Sequence, residues 1–184
     1  RTHFRFKEYP KKVDWIIPGE DAASKTLKYF IESNLFGYAE KRNDPNCNAQ
    51  SGLSPYITFG QISRHKIALD VLASRAPRVD KEAFLEELIV RSEVAENFCF
   101  YNPDYDNPKG FPSWAQKTLF EHKDDTRDYL YSLSHFEKAQ THDDLWNAAQ
   151  QELLQTGKMH GYMRMYWAKK ILEWTKSLEE AMKI

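Results

Sequence analysis

Thr141-His-Asp-Asp-Leu-Trp-Asn-Ala-Ala-Gln-Gln-Glu-Leu-Leu-Gln-Thr-Gly157, followed directly by Lys158-Met-His-Gly-Tyr-Met-Arg-Met-Tyr-Trp-Ala-Lys-Lys-Ile-Leu-Glu-Trp174, decides the fold class. Thr141 can start a helix with Asp144 in the first turn, where a carboxylate meets the positive end of the helix dipole. Gly157 supplies the left-handed residue that stops it. His160 to Thr175 then reads as a second helix. No alternation of apolar and polar residues, the mark of a half-buried strand, competes with these periods anywhere in the chain. The expected architecture is all-α.

The same period extends outward. Asp21 can cap a helix whose apolar residues Leu27, Phe30, Ile31 and Leu35 recur at spacings of three and four, ending near Gly37. Arg42-Asn-Asp-Pro-Asn-Cys-Asn-Ala-Gln-Ser-Gly-Leu-Ser-Pro55 is rich in turn formers and feeds a helix through Ser54 and Pro55, with Ile62, Leu69 and Leu72 on one face. Asp80 is placed to cap the next helix, which carries Phe84, Glu87, Leu88, Arg91, Val94 and Phe98 on one side. Phe100 to Pro112 is a loop, Ser113 can cap a shorter helix to about His122, and a weak helical segment follows to Ala139. Residues 1–20 read as an irregular leading segment and 21–184 as one helical unit. Arg1 is no initiator Met, and Ser177-Leu-Glu-Glu-Ala-Met-Lys-Ile184 opens like a helix, with Ser177 as cap and Glu180 three residues on. The chain is therefore expected to be a piece of a longer protein.

With 184 residues, 41% of them hydrophobic, the chain can build one compact core. Its 26 basic and 27 acidic side chains nearly cancel, so any contact with nucleic acid must come from a local patch. Cys47 and Cys99 lie far apart and outside any zinc-ligand spacing, so neither a disulfide framework nor a metal site is expected. There is no apolar run of about 18 residues, the length a spanning helix needs, and no secretion signal. A soluble, reducing intracellular setting is the default reading.

Three constellations could carry chemistry. Ala49-Gln-Ser-Gly-Leu-Ser-Pro-Tyr56 puts hydroxyls and exposed N–H groups just before a helix, a phosphate cradle or simply an ordinary Ser cap. Glu87 and Arg91, four apart, can pair, either as a weak ion pair on the solvent side or, since Phe84, Val94 and Phe98 share their face, at the wall of a pocket. Trp167 and Trp174 are seven residues apart, nearly two turns, so they share a face that Trp146 of the preceding helix could enter between or beside. An aromatic stripe of this kind is ordinarily core; an electron-hopping chain is the alternative. Gly161, among the bulky residues of the Lys158–Trp167 stretch, suggests close approach to something flat or to another helix. His160 reads as a structural residue, and Arg164 needs an acidic partner that the neighbouring sequence does not supply.

Taken together, Arg42-Asn-Asp-Pro45, Ser51-Gly-Leu-Ser-Pro-Tyr-Ile-Thr-Phe-Gly-Gln-Ile-Ser63, Phe84-Leu-Glu-Glu-Leu-Ile-Val-Arg91, Asn97-Phe-Cys-Phe-Tyr-Asn102, Phe111-Pro-Ser-Trp-Ala115, Thr141-His-Asp-Asp-Leu-Trp-Asn147 and Thr156 through Trp174 resemble the class II cyclobutane pyrimidine dimer photolyases. The match runs from about Asp21 to Ile184. The resemblance implies the first part of an all-helical FAD-binding domain that acts on DNA containing cyclobutane pyrimidine dimers, with the damaged pair flipped out of the duplex. Reduced FAD, excited by blue light, lends an electron that splits the ring and then recovers it. By matching motif positions, Tyr38, Ser51, Gly52, Leu53, Ser54, Arg91 and Arg164 would touch FAD. Arg42, Phe84, Glu87 and Met165 would meet the lesion, Glu87 as a proton-donating carboxyl with a raised pKa. Trp167, Trp146 and Trp174, in that order from flavin to surface, would carry electrons inward. An N-terminal α/β domain, with any antenna chromophore it holds, and the helices after Ile184 are absent, so the piece is expected to be inactive alone. The resemblance further implies a monomeric full-length enzyme with no membrane attachment, working beside DNA in cytoplasm or nucleus. A cryptochrome-like flavin photoreceptor and a cofactor-free helical interaction module remain as alternatives.

Overall fold

A computed structural model of the chain describes residues 12–184, in which all regular structure is helical. Residues 12–19 hold no helix, and the remainder of the expected irregular segment, 1–11, lies outside the described residues. α1 (Glu20–Tyr29) starts one residue earlier than Asp21, after Gly19, and runs into a π-helical turn at Phe30–Asn34. Gly37, left-handed at φ 78°, turns the chain into α2 (Tyr38–Lys41). Its conformation is one that L side chains seldom adopt.

α3 (Ser54–Thr58) and α4 (Arg64–Ala73) are two helices where one was expected. Gly60, at φ 67°, ends the first, and Ser63 caps the second by accepting from the N–H of Lys66 at 3.1 Å. The new cap resets the helical phase. Consequently Ile67 and Val71 face the core, while Leu69 and Leu72, expected inside, lie on the surface.

α5 (Arg78–Leu85) continues as a π-helical stretch, Glu86–Arg91, and then as α6 (Ser92–Tyr101). Asp80 does not cap α5, which follows Pro77; buried inside its first turn, it accepts from the N–H groups of Gly37 and Ala39, both at 2.9 Å. It thus caps α2 across the core. The first core joins Leu27, Phe30, Tyr38, Leu53, Val71 and Phe84, among others. α6 buries none of its residues, and Val94, Phe98, Phe100 and Tyr101 are exposed along it. Removing the face of such a helix from water would be favourable, and among the described residues no element covers this apolar side.

After a single 3-10 turn at Pro108–Gly110 come α7 (Ser113–Glu121), α8 (Leu133–Glu137), α9 (Asp144–Thr156), α10 (Gly161–Glu173) and α11 (Leu178–Lys183). α9 begins at Asp144, three residues later than Thr141 suggested: the Asp143 carboxylate accepts from the N–H of Trp146 at 2.8 Å, and Gly157 closes the helix at φ 70°. Ser177 caps α11 as its sequence predicts, and Glu180 reaches back to the N–H of Lys176 at 3.1 Å. α9 and α10 pack on each other and enclose a second core of Phe136, Trp146, Ile171 and Trp174, with Ala149, Met159 and Met163 beside it. Trp146 is completely buried, so truncating it to Ala would cost about 3–5 kcal/mol.

Candidate functional site

α2 and the end of α5 bring Tyr38, Arg42, Phe84 and Glu87 together. Arg42 Nη1 donates to Glu87 Oε1 at 2.9 Å and to the carbonyl of Ala83 at 3.3 Å, at a partly open edge. Tyr38 packs edge-on against Phe84, with centroids 5.5 Å apart, and Phe30 closes the group. Burial raises the phenol of Tyr38 above its ordinary range, a shift that the Arg42 charge opposes and Glu87 reinforces. The outcome is a charged pair at the rim of an aromatic floor.

Two expectations are corrected here. Glu87 pairs with Arg42 and not with Arg91, which instead reaches Glu86 at 3.4 Å. The cause is the π-helical stretch, whose wider turn aligns residues five apart where an α-helix would align those four apart. Phe84, expected at the lesion, is only 5% exposed and serves as core between Phe30 and Tyr38. Glu87 is not enclosed in apolar surroundings either, being ion-paired and partly open to solvent.

The loop before α3 is held from two sides. Gln50 Nε2 donates to the carbonyl of Arg42 at 2.9 Å and lies 3.0 Å from Nε2 of His160, tying the loop to the start of α10. His160 is buried, and its Nδ1 accepts from the N–H of Tyr162 at 3.2 Å; burial lowers its pKa. It is the structural residue expected, and it caps α10. Gly52 is left-handed at φ 68°, and Ser51 Oγ accepts from the N–H of Leu53, whose side chain is buried. α3 is a single turn with Pro55 at its start, so its dipole adds little; hydroxyls and loop N–H groups are what the loop offers.

Ser54, Pro55, Arg164 and Trp167 line one cleft of about 350 Å³ together with Trp15, Lys158 and Met159. Arg164 projects there with no ion pair among the described residues. Burial lowers the pKa of Lys158, with Glu152 opposing and Arg164 adding to the shift. A hydroxyl, a guanidinium and an indole around one cleft suit a ligand that is both anionic and flat, as FAD is. Met165, on the same helix, is exposed. Gly161 is not crowded: a Cβ there would meet only Arg164 Nη2, at 3.5 Å.

From this cleft an indole stack runs inward. Trp167 and Trp146 lie parallel, interplanar angle 8° and centroids 6.2 Å apart; Trp146 and Trp174 meet edge to face at 6.1 Å. Trp146 therefore sits between the other two. Trp146 Nε1 donates to the carbonyl of Trp167 at 3.1 Å, and Trp167 Nε1 donates to Gln150 Oε1 at 2.8 Å. Tyr166 donates to Asp143, a bond that pushes the phenol up to about 12. For Asp143, burial acts upward, but the bonds from Tyr166, Trp146 and Leu145 outweigh it and hold the carboxyl below its ordinary value. Trp174 departs from expectation: it is 2% exposed and does not reach the surface. Gln50, Gln150 and Asp80, which hold these groups in place, carry no sequence signal because each acts on a partner remote in the chain.

Among the described residues no group of three His, Cys, Asp or Glu side chains could hold a metal ion, and no helix is long and apolar enough to cross a membrane. The chain superposes on a solved bacterial class III photolyase from Agrobacterium tumefaciens with a TM-score of 0.68 and 26% identity, covering 84% of this chain and 31% of that one. In sequence it is 49% identical over 180 residues, 94% of its length, to a deoxyribodipyrimidine photo-lyase of Arabidopsis thaliana, and 51% identical over 157 residues to one of Methanothermobacter thermautotrophicus. It spans 36% and 34% of those two proteins, about a third of each. No family model matches the chain.

Proposed function

We propose that this chain is the first part, residues 21–184, of the FAD-binding helical domain of a class II photolyase that repairs cyclobutane pyrimidine dimers in DNA. The observation that carries the reading is the junction at Trp167, which lines the cleft with Ser54 and Arg164 while stacking on Trp146. Ligand cleft and redox-active indoles thus meet at one residue. The near-half identity to proteins named deoxyribodipyrimidine photo-lyase, against 26% to the class III enzyme, supports the activity, while the class rests on the motif resemblance.

Bound, reduced FAD supplies on blue-light excitation the electron that opens the cyclobutane ring. Ser51, Ser54 and the N–H of Gly52 would hold the phosphates, with Arg164 adding charge and Tyr38 fixing the wall behind them. Arg91, expected at the same ligand, pairs with Glu86 on an exposed face and does not line the cleft, so no contact is assigned to it. Arg42 would meet the DNA backbone, releasing Glu87 to donate a hydrogen bond to the pyrimidine pair where negative charge develops, a kind of contact worth about 10²–10³ in rate. Met165 would pack on the flipped bases. Trp174, Trp146 and Trp167 would pass electrons toward the cleft when the cofactor is oxidised. DNA is the partner, the working unit a monomer, and the site of action inside the cell.

The test is the full-length protein, purified and mixed with an oligonucleotide containing a thymine dimer. The account expects dimer loss under blue light and none in the dark. Light-driven flavin reduction without dimer loss would favour a photoreceptor, and absence of flavin a cofactor-free module.

A further inference from the structure

A second cavity, of about 570 Å³, opens between α7 and the turn that joins α10 to α11; it is larger than the cleft at Trp167 and shares no lining residue with it. Four cations line it, Lys109, Lys123, Arg127 and Lys176, against two acids, Asp124 and Glu179. This local excess of positive charge stands in a chain whose net charge is -1. Lys109, Arg127 and Lys176 enter no ion pair among the described residues, and Lys123 reaches only its neighbour Asp124, at 3.9 Å. The charge is uncompensated in a concave site, where low-dielectric walls focus its field on an incoming anion.

Arg127 supplies a second, independent observation. Its Nε is buried and has no hydrogen-bond partner among the described residues, whereas buried polar groups in folded proteins are nearly always paired. A guanidinium is a planar fork of N–H donors that fits a phosphate or carboxylate. The other walls are apolar, with Phe111 and Phe120 among them. Lys123 Nζ lies over the Phe120 ring, 4.6 Å from its centroid, and Gln116 pins the lip by donating to the carbonyls of Lys109 at 3.3 Å and Phe111 at 2.7 Å.

We propose that this groove binds a free nucleotide, its phosphates at Arg127 and the surrounding lysines and its base against Phe111 and Phe120. A simple inorganic anion would use the cations and leave the aromatic walls wet. A purely apolar ligand would cover Arg127 Nε without giving it an acceptor. A nucleotide answers both demands, and the cavity lies within the range of about 300–1,000 Å³ usual for small-molecule sites. The rim argues against a continuous nucleic-acid strand. Glu121, Asp124, Asp125 and Asp128 are all exposed beside the groove, and they would repel a phosphate backbone running on past it. Such binding is a property apart from the flavin reading, whose Ser54, Arg164 and Trp167 lie in the other cleft.

The experiment is isothermal titration of the full-length protein with ADP, with inorganic phosphate and with an undamaged DNA duplex. Wild type, Arg127→Ala, Arg127→Lys and Lys176→Ala forms are compared, each checked by thermal melting and flavin absorbance. ADP should bind wild type more tightly than phosphate does, and Arg127→Ala should weaken ADP by about 10–100-fold, the worth of a hydrogen bond to a charged group. Arg127→Lys should restore only part of that loss, since an ammonium lacks the planar fork. Lys176→Ala, at an exposed side chain, should weaken ADP without lowering the melting temperature. ADP bound no more tightly than phosphate, or bound equally by wild type and Arg127→Ala, would overturn the proposal. So would Arg127-dependent affinity for the duplex with none for ADP. Should Arg127→Ala melt early, undiminished ADP affinity in Lys176→Ala overturns it instead. Failure of the flavin reading would show separately, as missing flavin absorbance, and leaves the comparison at Arg127 intact.

Discussion

The α9–α10 pair and the stretch from Phe84 to Arg91 were read by the same rule, side chains three or four apart share a face, and only the first obeys it. In α9 and α10 the helices are regular α-helix over 13 residues each, so Trp167 and Trp174 fall on one side and Trp146 enters between them. At Glu86–Arg91 the helix widens to π geometry, and the ion pairs are re-dealt: Glu86 with Arg91, Glu87 with Arg42. Helical spacing predicts contacts only where the turn is regular. In this molecule the irregular turn coincides with the edge that would meet a damaged base pair, in keeping with the habit of π-bulges to mark functional positions.

If the two regions serve different tasks, one electron supply and the other lesion binding, each can be broken without the other. The largest effect belongs to Trp146→Phe in the full-length protein: a Phe ring is too hard to oxidise to relay an electron, so light-driven reduction of oxidised flavin, followed by absorbance, should be abolished. Glu87→Ala should leave that reduction at the wild-type rate and lower dimer repair by about 100-fold, within the range for loss of one donor to developing charge. Asp80→Ala tests the frame that presents Arg42. It strips two hydrogen bonds from partly buried N–H groups of Gly37 and Ala39, and should lower unfolding free energy by about 1–3 kcal/mol in a denaturant titration. The loss should come without any change in the Trp column.

The smallest effect concerns His160, which ties the two regions together through Gln50. Because burial lowers its pKa, the unfolded chain takes up a proton that the folded chain resists. Stability should therefore decline as pH falls below about 6.5, the ordinary histidine value. His160→Asn, which keeps a capping side chain, should flatten that decline in melts recorded between pH 5 and 7.5, on the order of one pKa group's worth of slope.

How much of this was legible in the sequence follows the same divide. The all-helical class, the Gly157 stop, the Ser177 cap and the Trp spacing are local signals, and local signals are what a sequence carries. The second core could be read for that reason. Asp80 was misread because an acid near a helix start looks like that helix's own cap, whereas its partners are 41 and 43 residues away. The split of α3 from α4 hung on Gly60, one residue whose left-handed backbone no periodicity reveals. For the candidate site, the motif residues around Ser54, Arg42 and Glu87 stood out, but not the polar groups that fix them: Gln50 and Gln150 act across 110 and 17 residues. Burial of Phe84 and Trp174 was beyond sequence reasoning too, since it depends on which remote rings lie over them.

The most direct test of the division of labour is dimer repair measured under blue light after the flavin of the full-length protein has been chemically reduced, so that no photoreduction is needed. Trp146→Phe should then repair at the wild-type rate while Glu87→Ala stays about 100-fold slower. Repair lost in Trp146→Phe despite reduced flavin, or retained in Glu87→Ala, would contradict the account.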